Sequence, residues 1–123
     1  MTEQELFDTV AKHLLTQNKK SGLVNVRGNV EECLYRGPDG LKCAIGVLIP
    51  DEKYTTDLEN LKATDPVIIE AANLQGVETL GDDLQHVHDM FHPKEWPQRL
   101  KALAKDYKLN SNVVDECTQK NVN

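Results

Sequence analysis

The sequence predicts an α+β fold: a mainly helical single domain with one β-hairpin packed on four to five helices. Three observations predict it. Apolar residues recur at helical spacing in four separate stretches. One turn signature, Gly37-Pro38-Asp39-Gly40, lies between two arms of alternating character. The chain has 123 residues, 39% of them hydrophobic, which suits one modest core.

The first helix is expected over 3–18. Thr2 and Glu5 have the spacing of a capping box, and Leu6, Phe7, Val10, Ala11, Leu14 and Leu15 form its apolar stripe. Glu3 and Glu5 open it, Lys19 and Lys20 follow it, and Asn18 and Gly22 stop it. Residues 23–32 read as a loop or a short edge strand. The hairpin is expected at about 33–45, with Pro38-Asp39-Gly40 as a three-residue loop. That register sets Gly37 opposite Leu41, Arg36 opposite Lys42, Tyr35 opposite Cys43 and Cys33 opposite Ile45. Cys33, Tyr35, Leu41, Cys43 and Ile45 then share the core face.

Ile45 to Ile49 reads as the end of the strand or a single buried helical turn, and 51–63 as irregular chain with a weak turn around Leu58 and Leu61. Asp65-Pro66 starts a helix over 66–74 that Gly76 closes. A further helix is expected over 82–92, with Leu80, Leu84, Val87 and Phe91 facing inward and Pro93 ending it. The last runs over about 97–107 and buries Trp96, Leu100, Leu103, Ala104 and Tyr107. Residues 1–109 form the globular domain, and 110–123 a polar tail with Val113 and Val114 as anchors.

Net charge is −6, from 20 acidic and 14 basic residues. Residues 51–93 carry ten acids against two bases, whereas 94–108 carry five bases against two acids. A nucleic-acid binder draws most of its affinity from a clustered basic face, so direct nucleic-acid binding is not expected. The longest apolar run, Ala44 to Ile49, is far short of the roughly 20 residues of a membrane span. The N-terminus has neither the basic nor the apolar stretch of a secretory signal. Three cysteines, an odd number in a chain too large to need staples, suggest reduced thiols and a cytoplasmic setting.

The stretches HLLTQNKKS (13–21), CLYRGPDGLKCAIGVLIPDEKY (33–54) and DLQHVHD (83–89), followed by Trp96 and LAKDYKL (103–109), resemble a family of small bacteriophage and bacterial proteins. The resemblance covers roughly residues 7–109. It departs at Asn18, where glycine is expected; asparagine also tolerates the left-handed conformation. It implies a small phage-type accessory protein that binds a host enzyme, and it implies no activity, cofactor or catalytic residue.

Three chemistries compete. In the first, a thiolate pair, Cys33 and Cys43, joins the i, i+4 imidazoles of His88 and His92 around zinc. Nine residues separate the cysteines, more than a zinc-wrapping turn holds. With Leu84 at the centre of the buried stripe, His88 lies about 40° and His92 about 80° away, so His92 drifts toward solvent. In the second, Cys43 is a nucleophile with His88 as base and Asp89 behind it. Consecutive helix residues point about 100° apart, which argues against Asp89 orienting His88. The third is a non-enzymatic binding module. Its acidic surface, Asp51, Glu52, Asp57, Glu59, Asp82, Asp83 and Asp89 with Arg36 as an anchor, would meet a basic protein partner, such as a host nucleic-acid-handling or defence protein. This third reading is the leading expectation, with no cofactor and no catalytic residue, and zinc or thiol chemistry at Cys33, Cys43 and His88 is its alternative. Oligomeric state is not legible.

Overall fold

The structure, a computed structural model, describes residues 1–27 and 30–119. It contains α1 (Glu3–Gln17), β1 (Gly22–Val24), β2 (Val30–Cys33), α2 (Pro66–Ala71), α3 (Glu78–Met90), α4 (Trp96–Asp106) and α5 (Asn112–Gln119), with single 3₁₀ turns between β2 and α2. It is the expected mainly helical α+β arrangement, with one antiparallel hairpin. Among the described residues, no helix is long and apolar enough to cross a membrane.

α1 forms for local reasons. The Glu5 N–H donates to Thr2 Oγ1 at 3.1 Å and the Thr2 N–H to Glu5 Oε1 at 2.9 Å, satisfying two donors that the helix itself cannot. All six residues of its stripe are buried. It ends at Asn18, whose φ of 53° turns the chain away while its N–H still reaches the Leu14 carbonyl. α3, α4 and α5 pack against α1. Trp96, Phe7, Leu6, Leu80, Leu84 and Leu100 are among the fully buried side chains of the core.

The hairpin is not at 33–45. β1 pairs with β2, and Cys33 stands opposite Gly22 rather than Ile45. The turn half of the expected ribbon is present: the Gly37 N–H donates to the Leu41 carbonyl at 2.8 Å, Arg36 and Lys42 form a bridge, and the Cys43 N–H reaches the Tyr35 carbonyl at 3.3 Å. Asp39 and Gly40 both take positive φ, 61° and 75°, so the turn resembles a type I′ and not the expected type I with one left-handed residue.

Pairing stops at Cys43 because the backbone groups beyond it have other partners. Glu59 accepts the Tyr35 and Arg36 N–H groups at 2.8 and 3.1 Å, and Gln85 Oε1 accepts the Ile45 N–H at 3.0 Å. The chain then bends into a 3₁₀ turn at Gly46–Leu48. Gly46 lies so close to residue 35 that a Cβ there would sit 1.8 Å from the Tyr35 carbonyl oxygen.

The later helices differ from expectation at their ends. Asp65 caps α2 by accepting the Val67 N–H at 2.9 Å, with Pro66 in the first turn. The helix ends at Ala71, short of Leu74, because Asn73 takes a φ of 57°. α3 begins at Glu78, four residues before expectation, and runs through Gly81. A Cβ at Gly81 would meet the Leu74 methyls at 3.2 and 3.3 Å, so this helical glycine serves close packing.

Asn112–Gln119, expected to lie in a polar tail, forms α5 and buries Val114 against the bundle. Gln4 and Asn110 clasp one another beside it: each backbone or side-chain amide donates to the other residue at 2.9 Å. Residues 120–123 of that expected tail lie outside the described residues.

Gly46→Ala is expected to destabilise the protein by about 3 kcal/mol, a fall in Tm of about 10 °C, because the clash is with backbone that cannot yield. Thermal unfolding followed by circular dichroism checks this. Gly40→Ala, which meets no neighbouring atom but keeps a positive φ, should cost about 1 kcal/mol.

Candidate functional site

β2, the segment 59–64 and α3 enclose a pocket of about 360 Å³. Cys33, Tyr35 and Cys43 line one side of it, and Glu59, Asp82 and Asp89 bring carboxylates to it. Tyr35 is buried by its ring and donates its hydroxyl to the Leu61 carbonyl.

The wall nearest α3 rests on a hydrogen-bonded relay. His88 is completely buried and stacks on Trp96, with ring centroids 5.6 Å apart and an interplanar angle of 26°. The Ser21 backbone N–H points at His88 Nε2 from 3.0 Å. A backbone amide can only donate, so Nε2 is the acceptor and the ring proton resides on Nδ1. Nδ1–H donates to Asp89 Oδ1 at 2.8 Å, and the same oxygen accepts Gln85 Nε2 at 2.8 Å. The Cys33 thiol also donates to Asp89. Burial alone would raise the Asp89 carboxyl, but the bonds from His88, Gln85 and Cys33 outweigh it and hold it below the ordinary range.

Asp89 therefore does touch His88, contrary to the helical-wheel expectation. The wheel describes directions from the axis, whereas Nδ1 and a short aspartate carboxylate both stay near the backbone and meet along the helix surface. Gln85 and Ser21 are absent from the sequence-derived site. Gln85 had a readable signal, since it stands four residues before Asp89 on the same helix. Ser21 had none, because its role is a backbone donor.

The four expected zinc ligands do not converge. His92 is exposed and caps the 3₁₀ turn Pro93–Glu95, with Nδ1 accepting the Lys94 N–H at 3.1 Å. Cys43 Sγ accepts the Gly46 N–H at 3.2 Å. Among the described residues, the potential ligand atoms that do cluster belong to Cys33, His88 and Asp89, all within 4.8 Å of one another. The tautomer of His88 works against a metal there, since one ring nitrogen carries a proton and the other's lone pair is filled by Ser21.

The thiols are poor nucleophiles. Burial pushes Cys43 up to about 12, overriding the Gly46 N–H that favours its thiolate. Burial, with Asp89 beside it, pushes Cys33 up to about 11.

Of the expected partner-binding residues, several already have internal partners. Arg36 pairs with Asp51 at 2.8 Å, donates to the Ile49 carbonyl at 2.7 Å and lies 4.6 Å above the Tyr54 ring. Glu59, besides the two backbone donors, accepts the Tyr54 hydroxyl. Asp83 accepts the Tyr107 hydroxyl at 2.6 Å. Glu52, Asp57 and Asp82 are exposed. Glu59, Asp82 and Asp89, set apart in sequence, meet at the pocket.

Comparison with protein-family models, curated proteins and solved structures finds no match.

In the native protein at pH 7.5, alkylation of Cys33 and Cys43 by iodoacetamide is expected to run on the order of a hundredfold slower than in the unfolded chain, because burial suppresses the thiolate. Mass spectrometry of timed digests checks it. Native rates equal to the unfolded ones would overturn this expectation, and faster ones would show that the thiols are activated.

Proposed function

We propose that the protein is a non-enzymatic binding module that engages a basic protein partner through its acidic 51–89 surface, with the pocket at Glu59, Asp82 and Asp89 receiving a lysine or arginine side chain. The observation that carries this reading is that Glu59, Asp82 and Asp89 line one cavity, where they outnumber its single lysine, Lys62, with His86 beside them. Asp89 is held ionised by its donors, so the wall keeps a negative charge at neutral pH. A cavity of this size takes one long side chain and leaves little room for a large cofactor. The acidic excess of residues 51–93 extends the same field outward and would speed encounter with a basic surface. A role as a small accessory protein of phage type, acting stoichiometrically on a nucleic-acid-handling or defence protein, agrees with the resemblance carried by 33–54. A partner site that normally holds nucleic acid has the complementary charge.

The test is affinity capture from bacterial lysate with the tagged protein and its Asp82→Lys variant, at low and moderate salt. Asp82 is exposed, so the variant should fold. The expected result is a basic protein retained by the parent, and retained about tenfold less by Asp82→Lys and at the higher salt. Capture of no specific protein at either salt, or equal retention by both forms, overturns the reading. Elemental analysis of chelator-free protein bears on the alternative: one zinc per chain, lost in Cys33→Ser, would replace the binding reading with a metal site.

A further inference from the structure

Lysine and arginine differ in the acceptors they need, and the pocket's carboxylates are not equally free to supply them. An ionised carboxylate has two oxygens and about four acceptor positions. At Asp89, Oδ1 already takes two donors, Gln85 Nε2 and His88 Nδ1, both at 2.8 Å, and the Cys33 thiol takes a further position. At Glu59, Oε2 takes the Arg36 N–H at 3.1 Å and the Tyr54 hydroxyl, while Oε1 takes only the Tyr35 N–H at 2.8 Å. Each of these inner carboxylates is left with one oxygen that has room for another donor: Oδ2 of Asp89 and Oε1 of Glu59.

The internal donors are not free to step aside. Two are backbone amides, His88 is fully buried, and Gln85 is anchored by the Ile45 N–H entering its Oε1 at 3.0 Å. Nor do the pocket's own cations fill the open oxygens. Lys62 and His86 are exposed, and among the described residues neither forms an ion pair with these carboxylates. The Asp89 side chain keeps 35% of its exposure, so an incoming group can reach it.

A guanidinium binds best when two parallel N–H groups meet both oxygens of one carboxylate. Neither inner carboxylate has both oxygens open, so arginine loses there the bidentate bond that sets it above lysine. An alkylammonium asks less. It is a compact charge whose three donors turn about the last C–N bond, and single oxygens from two different carboxylates suit it. Asp82 does offer both oxygens, but it is exposed, where water and salt screen an ion pair and a fork gains little. Leu34, Tyr35, Leu61 and Ala63 supply lining for the methylenes of the guest.

We propose, resting on the reading of this pocket as the receiver of a basic side chain, that it selects lysine over arginine, because the internal donors to Asp89 and Glu59 leave each with one open oxygen, which an ammonium can use and a guanidinium fork cannot. Gln85, His88 and the 35–36 amides are then positioning groups: they set the kind of cation without touching it.

The test is titration of the unaltered ¹⁵N-labelled protein at about pH 7.5 and constant ionic strength with the Nα-acetyl methylamides of lysine, arginine and Nε-trimethyl-lysine, each to about 50 mM. The Gln85 side-chain amide, bonded to Asp89 Oδ1, reports the pocket directly. The lysine probe is expected to shift it with a Kd about tenfold below that of the arginine probe. The trimethylated probe keeps the charge but has no N–H to donate, and it too should bind about tenfold more weakly than lysine. An arginine or trimethylated probe that binds as tightly as lysine overturns the selectivity and leaves the pocket reading standing. No shift of the Gln85 amide with any of the three overturns the pocket reading itself, and the selectivity falls with it.

Discussion

One hydrogen bond, from the Ser21 amide to His88, organises the functional half of this molecule. A buried polar ring is tolerable only if both its nitrogens are satisfied, and here each has one partner of opposite kind. Satisfying Nε2 with a donor obliges Nδ1 to donate; that proton selects a carboxylate; and the carboxylate, once ionised, becomes part of the pocket wall. The charge at the surface is therefore determined by a backbone amide inside the core. The same constraint commits both nitrogens of a histidine whose ring lies close to a cysteine and an aspartate.

Glu59 plays a corresponding part on the opposite wall. The 41–43 arm pairs with 35–36 without taking up the Tyr35 and Arg36 N–H groups, which would otherwise remain unpaired beside the core. A single carboxylate takes both, and a tyrosine hydroxyl as well. Acidic residues in this protein thus serve two purposes. Those with internal donors shape the cavity, and those without, such as Asp82, give it an outward-facing charge.

Much of the fold was legible because much of it is local. The capping box, the buried stripe and the Asn18 stop of α1 follow from neighbouring residues, as does the Asp65-Pro66 start of α2. The elements read differently were decided at a distance. Whether Cys33 pairs with Ile45 or Gly22 depends on Gly46 pressing against residue 35 and on Gln85 claiming the Ile45 amide. Gly81 resembles a helix boundary by propensity, but Leu74 requires a residue without a side chain in mid-helix. α5 buries one valine in a polar stretch, too little for periodicity to register. At the site, residue types were visible in sequence and their mutual geometry was not: His92 turned out to be a cap, Asp89 the imidazole's partner, and Gln85 a connector.

The reciprocal clasp of Gln4 and Asn110 spans 106 positions of chain. α1 has its capped start supplied by neighbouring residues, yet the surface it offers α4 and α5 stays uncovered until those helices dock. Completion of the bundle therefore waits on contacts far apart in sequence, which close slowly beside the local steps that form α1.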